Sequence, residues 1–375
     1  MLLIDFSKCS LNLLKKCLTV VKINMTLTEL SYYTRRMMPF VILFALVFLI
    51  IFYSFKLFFI YLESSKPKTV ITNTLFGKID KPDISEATRS AGFNFTLDTV
   101  EGTPVTATDT SKVYFLPRPV TRFGYREKIY LMAKTFGFDT ELVKHKLTDN
   151  IATFSDSEQK LIVDIGNFNF KYESQPNSTD SSSLARANSF ILSKKEIENK
   201  AIDFLKSIGR YPDELTRGTM KTIYLKYNPD FDSYTNVATR SEANLVEVDF
   251  YRPDIEGISV TTPKFFNSQN YVIMFFTEDG YKVIKSQIAF YEKSETQIGL
   301  YPVKSGETAW QELLDGKGIV VSARTGAKNI TIKNMKVYYL DPDTYQPYLQ
   351  QVYVFYDDKD FVAYVPAVAN EYLIE

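Results

Sequence analysis

The feature that most constrains this chain is a run of 19 residues without a charged side chain, from Met37 to Phe55, which continues in apolar residues beyond Lys56. A bilayer core about 30 Å thick is crossed by roughly 20 apolar residues in a helix. A buried helix of a soluble protein rarely stays apolar on every face over such a length, and a cleaved signal peptide has a shorter apolar core and a small-residue cleavage site. The sequence therefore predicts one transmembrane helix over residues 37–62, in contact with the lipid bilayer.

The charges that flank this helix predict its orientation. The N-terminal segment, residues 1–36, carries several lysines and ends in Arg35 and Arg36, whereas residues 63–68 combine two lysines with a glutamate and lead into a large domain. Lysine and arginine are enriched on the cytoplasmic side of membrane proteins. We therefore expect a single-pass protein of the cell membrane, with a cytoplasmic N-terminus and with residues 63–375 outside the cytoplasm.

Composition and cysteine use describe the part outside the membrane. The 44 basic and 44 acidic residues cancel, so no basic field points to nucleic acid, and a hydrophobic share of 45% is typical of a packed globular body. Both cysteines, Cys9 and Cys17, precede the membrane helix. The outer part must therefore depend on its core rather than on disulfides, which fits a bacterial envelope protein.

Met25 begins a short segment that leads into the membrane helix, which raises the hypothesis that Met25 is the true first residue of the protein.

Two segments poor in apolar residues divide the outer part. The first contains two prolines and is typical of a juxtamembrane spacer, and the second has the serine- and asparagine-rich composition of a linker. The predicted order is a cytoplasmic segment at 1–36, the membrane helix at 37–62, the spacer at 63–90, a first α+β unit at 91–172, the linker at 173–189 and a larger α+β domain at 190–375, which in one alternative divides into 190–300 and 301–375.

The first unit contains both strand and helix patterns. Residues 93–98 and 112–117 are apolar enough and rich enough in aromatic and β-branched residues to predict strands, and residues 125–136 have apolar side chains at helical spacing. Gly137 is a candidate helix-ending residue, because glycine adopts a left-handed conformation without a Cβ clash. Residues 152–166 predict a hairpin of two strands.

The second unit repeats this plan. Ser193 and Glu196 have the spacing of a capping box, apolar residues at helical spacing follow up to Ile208, and Gly209 ends the predicted helix. Strands are predicted after it at 221–228, 244–251, 271–276 and 282–291. A third helix start lies in 305–321, and its predicted helix ends at Gly316.

The first two predicted helices share a repeated residue pattern, which we call the sequence echo. Three pairs of matching residues lie 72 positions apart, namely Lys128 and Lys200, Lys134 and Lys206, and Gly137 and Gly209. The lysines of the second helix, Lys200 and Lys206, fall off its apolar face and are predicted to face solvent, so the echo predicts a duplicated fold start rather than a catalytic motif. Three more strands are predicted in 330–340 and 350–368. The fold class is therefore α+β, with the membrane helix followed by two or three units in which a helix packs on an antiparallel sheet.

Residue counts exclude several classes of active site. His145 is the one histidine of the chain, and no cysteine follows the membrane helix, so paired-histidine zinc sites and thiolate nucleophiles are excluded from the outer part. We expect His145 to be structural, because a catalytic triad is defined by its geometry rather than by the presence of a histidine. No glycine-rich phosphate loop is present. The sequence thus names no catalytic, cofactor-binding or metal-binding residue and no cofactor.

Two groups of residues leave alternatives open. The first group consists of acidic residues in two turns: Asp341, Asp343, Asp357, Asp358 and Asp360. They either form the turns or, as a minor alternative, bind calcium, although their spacing is not that of a known calcium loop. Aromatic residues of the C-terminal strands either fill the core or form a surface for a protein or a glycan: Tyr338, Tyr339, Tyr353, Phe355, Tyr356 and Tyr364.

The C-terminal segments AWQELLDGKGIVV, ITIKNMKVYYL and YLQQVYVFYDDKDFVAYVPAV resemble the YycH/YycI family, as do the short cytoplasmic lead, the membrane helix and the repeated helix–glycine–strand unit. The likeness is best over residues 190–375 and looser over 91–172, and the QPNSTDSSS linker departs from it. The resemblance implies PepSY-type units and no catalytic residues. It also implies regulation by contact with another membrane protein, in that family an essential sensor kinase of cell-wall control, partly through the membrane helix.

These observations favour a non-enzymatic, membrane-anchored, extracytoplasmic protein that binds and regulates another envelope protein. A cell-envelope hydrolase that uses carboxylates is the first alternative, and it requires Asp or Glu side chains that converge in a cleft. A glycan-binding or structural envelope protein is the second alternative, and it requires aromatic side chains in an exposed groove. The sequence leaves the oligomeric state open.

Overall fold

The computed structural model describes most of the chain, namely residues 27–64, 72–84, 87–106, 108–174, 191–228, 233–277, 280–358 and 360–374. The chain divides into two compact units, one up to Thr69 and the other from Val70 to Glu375, and each is described by itself. Four features of the sequence predictions lie outside the described residues: Cys9, Cys17, Met25 and most of the linker at 173–189.

Helix α1, Leu27–Ser64, belongs to the first unit and is 38 residues long. Its stretch Thr34–Ile60 is 27 residues long, has a mean hydropathy of 2.6, and is not buried against protein. Within the described residues this is the one helix long and apolar enough to cross a membrane. Pro39 lies inside it; proline is tolerated in membrane helices. The prediction of such a helix over residues 37–62 is confirmed in length and composition.

The described part of the second unit contains four helices, two short 3₁₀ helices and 22 strands. The helices are α2 Tyr125–Thr135, α3 Lys194–Ser207, α4 Asp213–Thr216 and α5 Gly306–Leu314, with the 3₁₀ helices at Arg240–Glu242 and Asn370–Tyr372. The strands are β1 Ile79–Asp80, β2 Thr88–Arg89, β3 Asn94–Leu97, β4 Thr110–Phe115, β5 Lys146–Thr148, β6 Ile151–Ser155, β7 Gln159–Asp164, β8 Phe170–Ser174, β9 Thr219–Asn228, β10 Ser233–Val237, β11 Leu245–Tyr251, β12 Val260–Thr261, β13 Tyr271–Thr277, β14 Gly280–Ile288, β15 Ile298–Pro302, β16 Ile319–Ser322, β17 Asn329–Ile332, β18 Asn334–Leu340, β19 Tyr348–Leu349, β20 Gln351–Tyr356, β21 Val362–Pro366 and β22 Leu373–Ile374.

Nine of these strands form one antiparallel sheet in the order β10-β9-β11-β13-β14-β8-β7-β6-β5. The strands that follow α2 make up one half and those that follow α3 make up the other. The halves meet where β14 pairs with β8, with Ile288 opposite Phe170. Strands from both sides of the predicted linker thus hydrogen-bond in one sheet, while the domain boundary at 173–189 stays a prediction.

Helices α2 and α3 cover one face of this sheet, because each has apolar residues on one side. Ile129 and Met132 of α2 and Ile197 and Leu205 of α3 are fully buried. They pack in the same core as alternate residues of the strands, such as Val248. The core of the nine-stranded sheet therefore lies between the sheet and these two helices.

The ends of the helices follow the sequence predictions. Ser193 and Glu196 form the expected capping box at the start of α3. Gly137 and Gly209 follow α2 and α3 with φ angles of 92° and 71°, in the left-handed region that glycine adopts without a Cβ clash. These predictions are confirmed, as is the hairpin of β6 and β7.

A second sheet, in the order β12-β18-β20-β21-β16-β2, packs against α5. Trp310 of α5 lies with its ring centre 5.9 Å from that of Phe355 on β20. Of the aromatic residues that the sequence leaves open between core and surface, four are at most 1% exposed and belong to the core: Tyr339, Tyr353, Phe355 and Tyr364. Tyr338 and Tyr356 are half-buried.

The number of C-terminal strands differs from the prediction. Residues 330–340 and 350–368 contain four strands rather than three, because the first segment breaks at Lys333 into β17 and β18. Strand β17 pairs in parallel with β3, whereas β18 pairs with β20 in the second sheet. At the break, Lys333 forms an ion pair with Asp98, which directly follows β3. Because the segment changes its pairing partner at Lys333, its backbone is not in the strand conformation there. The alternation of apolar residues along the sequence does not reveal such a change.

A buried ion cluster ties the nine-stranded sheet to the second sheet. Arg252, directly after β11, has a fully buried side chain and pairs with Glu214 of α4 and with Asp341, which follows β18, at 2.9 Å. The Arg252 guanidinium also donates to the Tyr291 carbonyl at 2.7 Å, and the Gln269 side chain donates to Asp341 at 3.1 Å. Charged groups this deeply buried are tolerated because each has a partner.

Candidate functional site

A cavity of about 590 Å³ lies where the loop before α2, the turn between β7 and β8, and the segments after α3 and β14 come together. Its charged lining is mostly positive, with Arg118, Arg122, Lys128 and Arg210 against one carboxylate, Glu292. Both halves of the nine-stranded sheet contribute, because β8 and β14 are neighbours at its centre. We call it the basic cavity. The sequence predictions name none of its residues as a site.

Arg210 is the most buried cation of the basic cavity, with 8% of its surface exposed. Its Nη1 donates to Glu292 Oε1 at 2.8 Å, and its Nη2 donates to Asn169 Oδ1 at 2.7 Å and to the Phe290 carbonyl at 2.9 Å. Its Nε is buried and has no hydrogen-bond partner in the described part of the chain. Leaving a buried donor unpaired costs about 1–3 kcal/mol, and this donor belongs to a residue that lines the cavity.

Lys128, in the first half of α2, lines the same cavity. Its Nζ lies 4.0 Å from the centre of the Phe168 ring, a cation–π contact. Burial, together with the nearby charges of Arg210 and Arg122, lowers the pKa of Lys128. Phe168 has a φ of 62°, which is rare for an aromatic residue. A negative charge in the cavity would relieve the repulsion among these cations.

The sequence echo gives Lys128 and Lys200 the same place in two helices, but the structure separates them. Lys200 is exposed, as predicted. Lys128 is half-buried in the basic cavity. The cause is the contact between the two repeats: Lys128 lies beside the end of α3, where a Cβ atom added to Gly209 would be 3.9 Å from Lys128 Cε.

The loop between β4 and α2 forms the outer rim of the basic cavity, and we call it the rim loop, residues 117–124. Phe123 is 109% exposed relative to a reference residue, and Val120 is 69% exposed. Arg118 and Arg122 of the same loop are exposed as well. Aromatic and arginine side chains are enriched at the centres of protein–protein interfaces, so the loop has the composition of a contact site.

His145 contacts two aromatic residues, and its structural role stays a prediction. Its Nδ1 lies 3.1 Å from the Tyr130 hydroxyl, and its ring packs against the rings of Tyr130 and Phe154. Burial, with a smaller contribution from Arg126, lowers the pKa of His145 and so favours the neutral imidazole. These contacts place it at the border of the core beneath α2.

The acidic turns lie in two separate places. Asp341 is buried in the ion cluster around Arg252. The other turn borders a different cavity that also contains two cations, and its members are Asp357, Asp358 and Asp360 beside Arg324 and Lys333. Among the residues that the structure describes, no group of three or more His, Cys, Asp or Glu side chains is arranged to hold a metal ion.

A carboxylate pair lies on the face of the nine-stranded sheet opposite α2 and α3, and the sequence predictions miss it. Glu247 and Asp249 stand two residues apart on β11, so both lie on the same face. Asp249 Oδ2 accepts from the Tyr251 hydroxyl at 3.0 Å and from the Ser268 amide at 3.1 Å. Burial and repulsion from Asp249 raise the pKa of Glu247 to about 8, and burial raises the pKa of Asp249. Acidic residues at alternate positions of an apolar strand are the signal that could have identified the pair.

No protein-family model and no curated protein sequence matches the chain. An uncharacterized protein from Eubacterium rectale ATCC 33656 is similar in structure at 12% identity, with 72% of this chain and 87% of that chain covered and a TM-score of 0.33. YycH from Bacillus subtilis is similar at 12% identity, with 69% of this chain and 53% of that chain covered and a TM-score of 0.32. TM-scores this low do not establish a common fold. The chain's own structure defines an α+β protein with one N-terminal helix long and apolar enough to span a membrane.

Proposed function

We propose that this chain is a non-enzymatic, membrane-anchored protein whose extracytoplasmic part binds and regulates another envelope protein. The observation that carries the proposal is α1, whose apolar stretch Thr34–Ile60 is long enough to span a bilayer and is not buried against protein. A helix of this kind holds the α+β unit at the membrane, where its partners are membrane or envelope proteins. The basic segment 1–36 supports a cytoplasmic N-terminus and places residues 63–375 outside in this proposal.

The rim loop is the proposed contact surface. Phe123 and Val120 supply exposed apolar area, and Arg118 and Arg122 lie beside them in the loop. A few aromatic and arginine side chains provide most of the binding energy at many interfaces, and arginines select an acidic partner surface by complementary charge. The proposed partner is an envelope protein with an acidic patch, and a sensor kinase, which the YycH/YycI resemblance implies, is one such protein.

The division into PepSY-type units is part of the same proposal. Helices α2 and α3 each precede a set of antiparallel strands in the nine-stranded sheet, and α5 packs on the second sheet. In this proposal the units lie near 91–172, 190–300 and 301–375, and β3 and β4 of the first unit pair with β15, β17 and β19. The first of the duplicated units presents the rim loop in this proposal.

Crosslinking in native membranes tests the proposed function. The full-length chain is compared with a form that lacks residues 37–62, and crosslinked proteins are identified by mass spectrometry. We expect one envelope protein to be recovered reproducibly with the full-length chain and to be strongly reduced when the helix is missing. Recovery of no protein above background with the full-length chain contradicts the proposal.

A carboxylate-dependent hydrolase is the second candidate function, and the pair of Glu247 and Asp249 favours it. Burial raises the pKa of both carboxyl groups, that of Glu247 to about 8, so Glu247 holds a proton at neutral pH and is a candidate acid of the kind used in the hydrolysis of glycosidic bonds. The test is turnover of cell-wall glycan by the full-length chain and by its Glu247→Gln variant. Turnover that is lost in the variant supports the hydrolase, and no turnover by either protein supports the binding function.

A further inference from the structure

The basic cavity has the features of a small-molecule site, and we infer that it binds a ligand through a phosphate group. This inference goes beyond the proposed contact with an envelope protein and does not depend on it. It rests on three observations of the cavity: buried donors that lack an acceptor, an excess of positive charge, and a volume that fits a small molecule.

The first observation is that two residues lining the cavity have buried side-chain donors without an acceptor in the part of the chain that the structure describes. Arg210 Nε is one, although the other two nitrogens of the same guanidinium are hydrogen-bonded. Asn167 Nδ2 is another, and its orientation is fixed because Asn167 Oδ1 accepts from the Asn169 amide at 2.9 Å. Buried polar groups are nearly always hydrogen-bonded in proteins. Phosphate oxygens are strong acceptors that satisfy such donors.

The second observation is the charge of the lining. Four cationic side chains meet a single carboxylate, that of Glu292. The side chain of Glu292 is 58% exposed, whereas that of its partner Arg210 is 9% exposed. Solvent therefore screens the carboxylate more than the buried guanidinium. A ligand group with two negative charges fits this excess better than a carboxylate with one, and arginine guanidinium groups match the geometry of phosphate oxygens.

The third observation is the size of the cavity. Its volume of about 590 Å³ lies within the range of roughly 300–1,000 Å³ that is typical of small-molecule sites. The Phe168 ring and the apolar atoms of Pro117 and Pro119 also line it. The cavity can therefore hold the phosphate against Arg210 and Lys128 and the remainder of a small phosphate ester against these apolar atoms.

Calorimetric titration of the detergent-solubilised full-length chain with inorganic phosphate tests the inference, at about 0.15 M salt so that loose surface binding is screened. Lys128→Gln removes a half-buried cation of the cavity, and Arg122→Gln removes an exposed one, so the second variant remains informative if the first is destabilised. We expect each variant to bind phosphate about tenfold more weakly than the wild type, or weaker still.

The matched control is Lys200→Gln, which removes the same residue type at the equivalent position of α3, where the side chain is exposed. This control is expected to bind phosphate as the wild type does. The inference is overturned if the wild-type chain binds no phosphate, or if Lys128→Gln and Arg122→Gln bind phosphate as tightly as Lys200→Gln.

Discussion

Glu247 and Asp249 lie on the same face of β11, two residues apart. Removing a carboxylate from water disfavours its ionised form, and a second carboxylate nearby adds repulsion. These two effects raise the pKa of Glu247 to about 8, and burial raises the pKa of Asp249. In the unfolded chain both groups titrate near pH 4. Between about pH 4 and pH 8, the native state therefore holds more protons on this pair than the unfolded state does.

We predict that the contribution of this pair to stability falls as the pH rises from about 4 to about 8, because the free energy of unfolding decreases with pH wherever the native state binds more protons. Glu247→Gln removes one titrating group, so it is expected to flatten this slope and to raise stability relative to the wild type at about pH 8. Urea unfolding at several pH values measures both effects. Glu158→Gln, at an exposed position, is the control, and an unchanged slope in Glu247→Gln contradicts the prediction.

The residues of the basic cavity show why the surroundings of individual side chains were hard to predict from the sequence. The composition predicts a structural His145, because a lone histidine offers few alternatives, and its contact with the Tyr130 hydroxyl agrees with that role. Arg210 and Glu292, in contrast, are 82 positions apart and meet because the end of α3 packs in the same core as the end of β14. The sequence echo matches Lys128 with Lys200, and the neighbours of α2 give Lys128 different surroundings.

At the scale of elements, Gly209 and Gly316 end α3 and α5 with φ angles of 71° and 76°. A residue with a Cβ atom in this left-handed conformation costs about 1–2 kcal/mol. An added Cβ at Gly209 meets only the Lys128 side chain at 3.9 Å, whereas one at Gly316 would lie 2.9 Å from Ala91 Cβ and 3.0 Å from Ala91 Cα. We predict a loss of unfolding free energy of about 1–2 kcal/mol for Gly209→Ala and a clearly larger loss for Gly316→Ala. Equal losses in urea unfolding contradict the packing argument.

The ion cluster around Arg252 gives a second prediction at this scale. Arg252→Ala leaves Asp341 buried without its counter-charge and leaves Glu214 with Lys293, at 3.7 Å, as its partner, and breaking a buried pair in this way costs about 3–5 kcal/mol. Arg324→Ala removes an exposed pair with Asp360 at 3.4 Å and is expected to cost less than about 1 kcal/mol. Urea unfolding compares the two variants. A loss in Arg252→Ala no larger than that in Arg324→Ala contradicts a structural role for the cluster.

The sequence predicted helix ends and hairpins well, because capping boxes, glycine caps and tight turns depend on neighbouring residues. It did not predict the break at Lys333, because that break follows from the parallel pairing of β17 with β3. Strand β4 likewise pairs with β15 and β19 rather than with its neighbours in sequence. Which strands become neighbours depends on contacts between distant parts of the chain, and the local pattern does not encode them.

At the scale of the whole molecule, the positions of the cysteines provide a test of orientation. Cys9 and Cys17 precede α1, and no cysteine follows it. Val100 is fully exposed in the second unit. We predict that a membrane-impermeant maleimide labels the Val100→Cys variant in intact cells, because the charge distribution favours a cytoplasmic N-terminus. The wild-type chain should be labelled only after the membrane is permeabilised, and labelling of the wild type in intact cells contradicts the proposed orientation.

The central claim is that a membrane-anchored chain contacts one envelope protein through its rim loop, and site-specific crosslinking in native membranes tests it most directly. A photo-crosslinking amino acid is placed at Phe123 of the full-length chain and, as a control, at Leu142, which is 81% exposed. We predict one crosslinked envelope protein from position 123, reduced when Arg118 and Arg122 are both replaced by glutamine, and none from position 142. No crosslink from position 123, or the same yield from both positions, contradicts the claim.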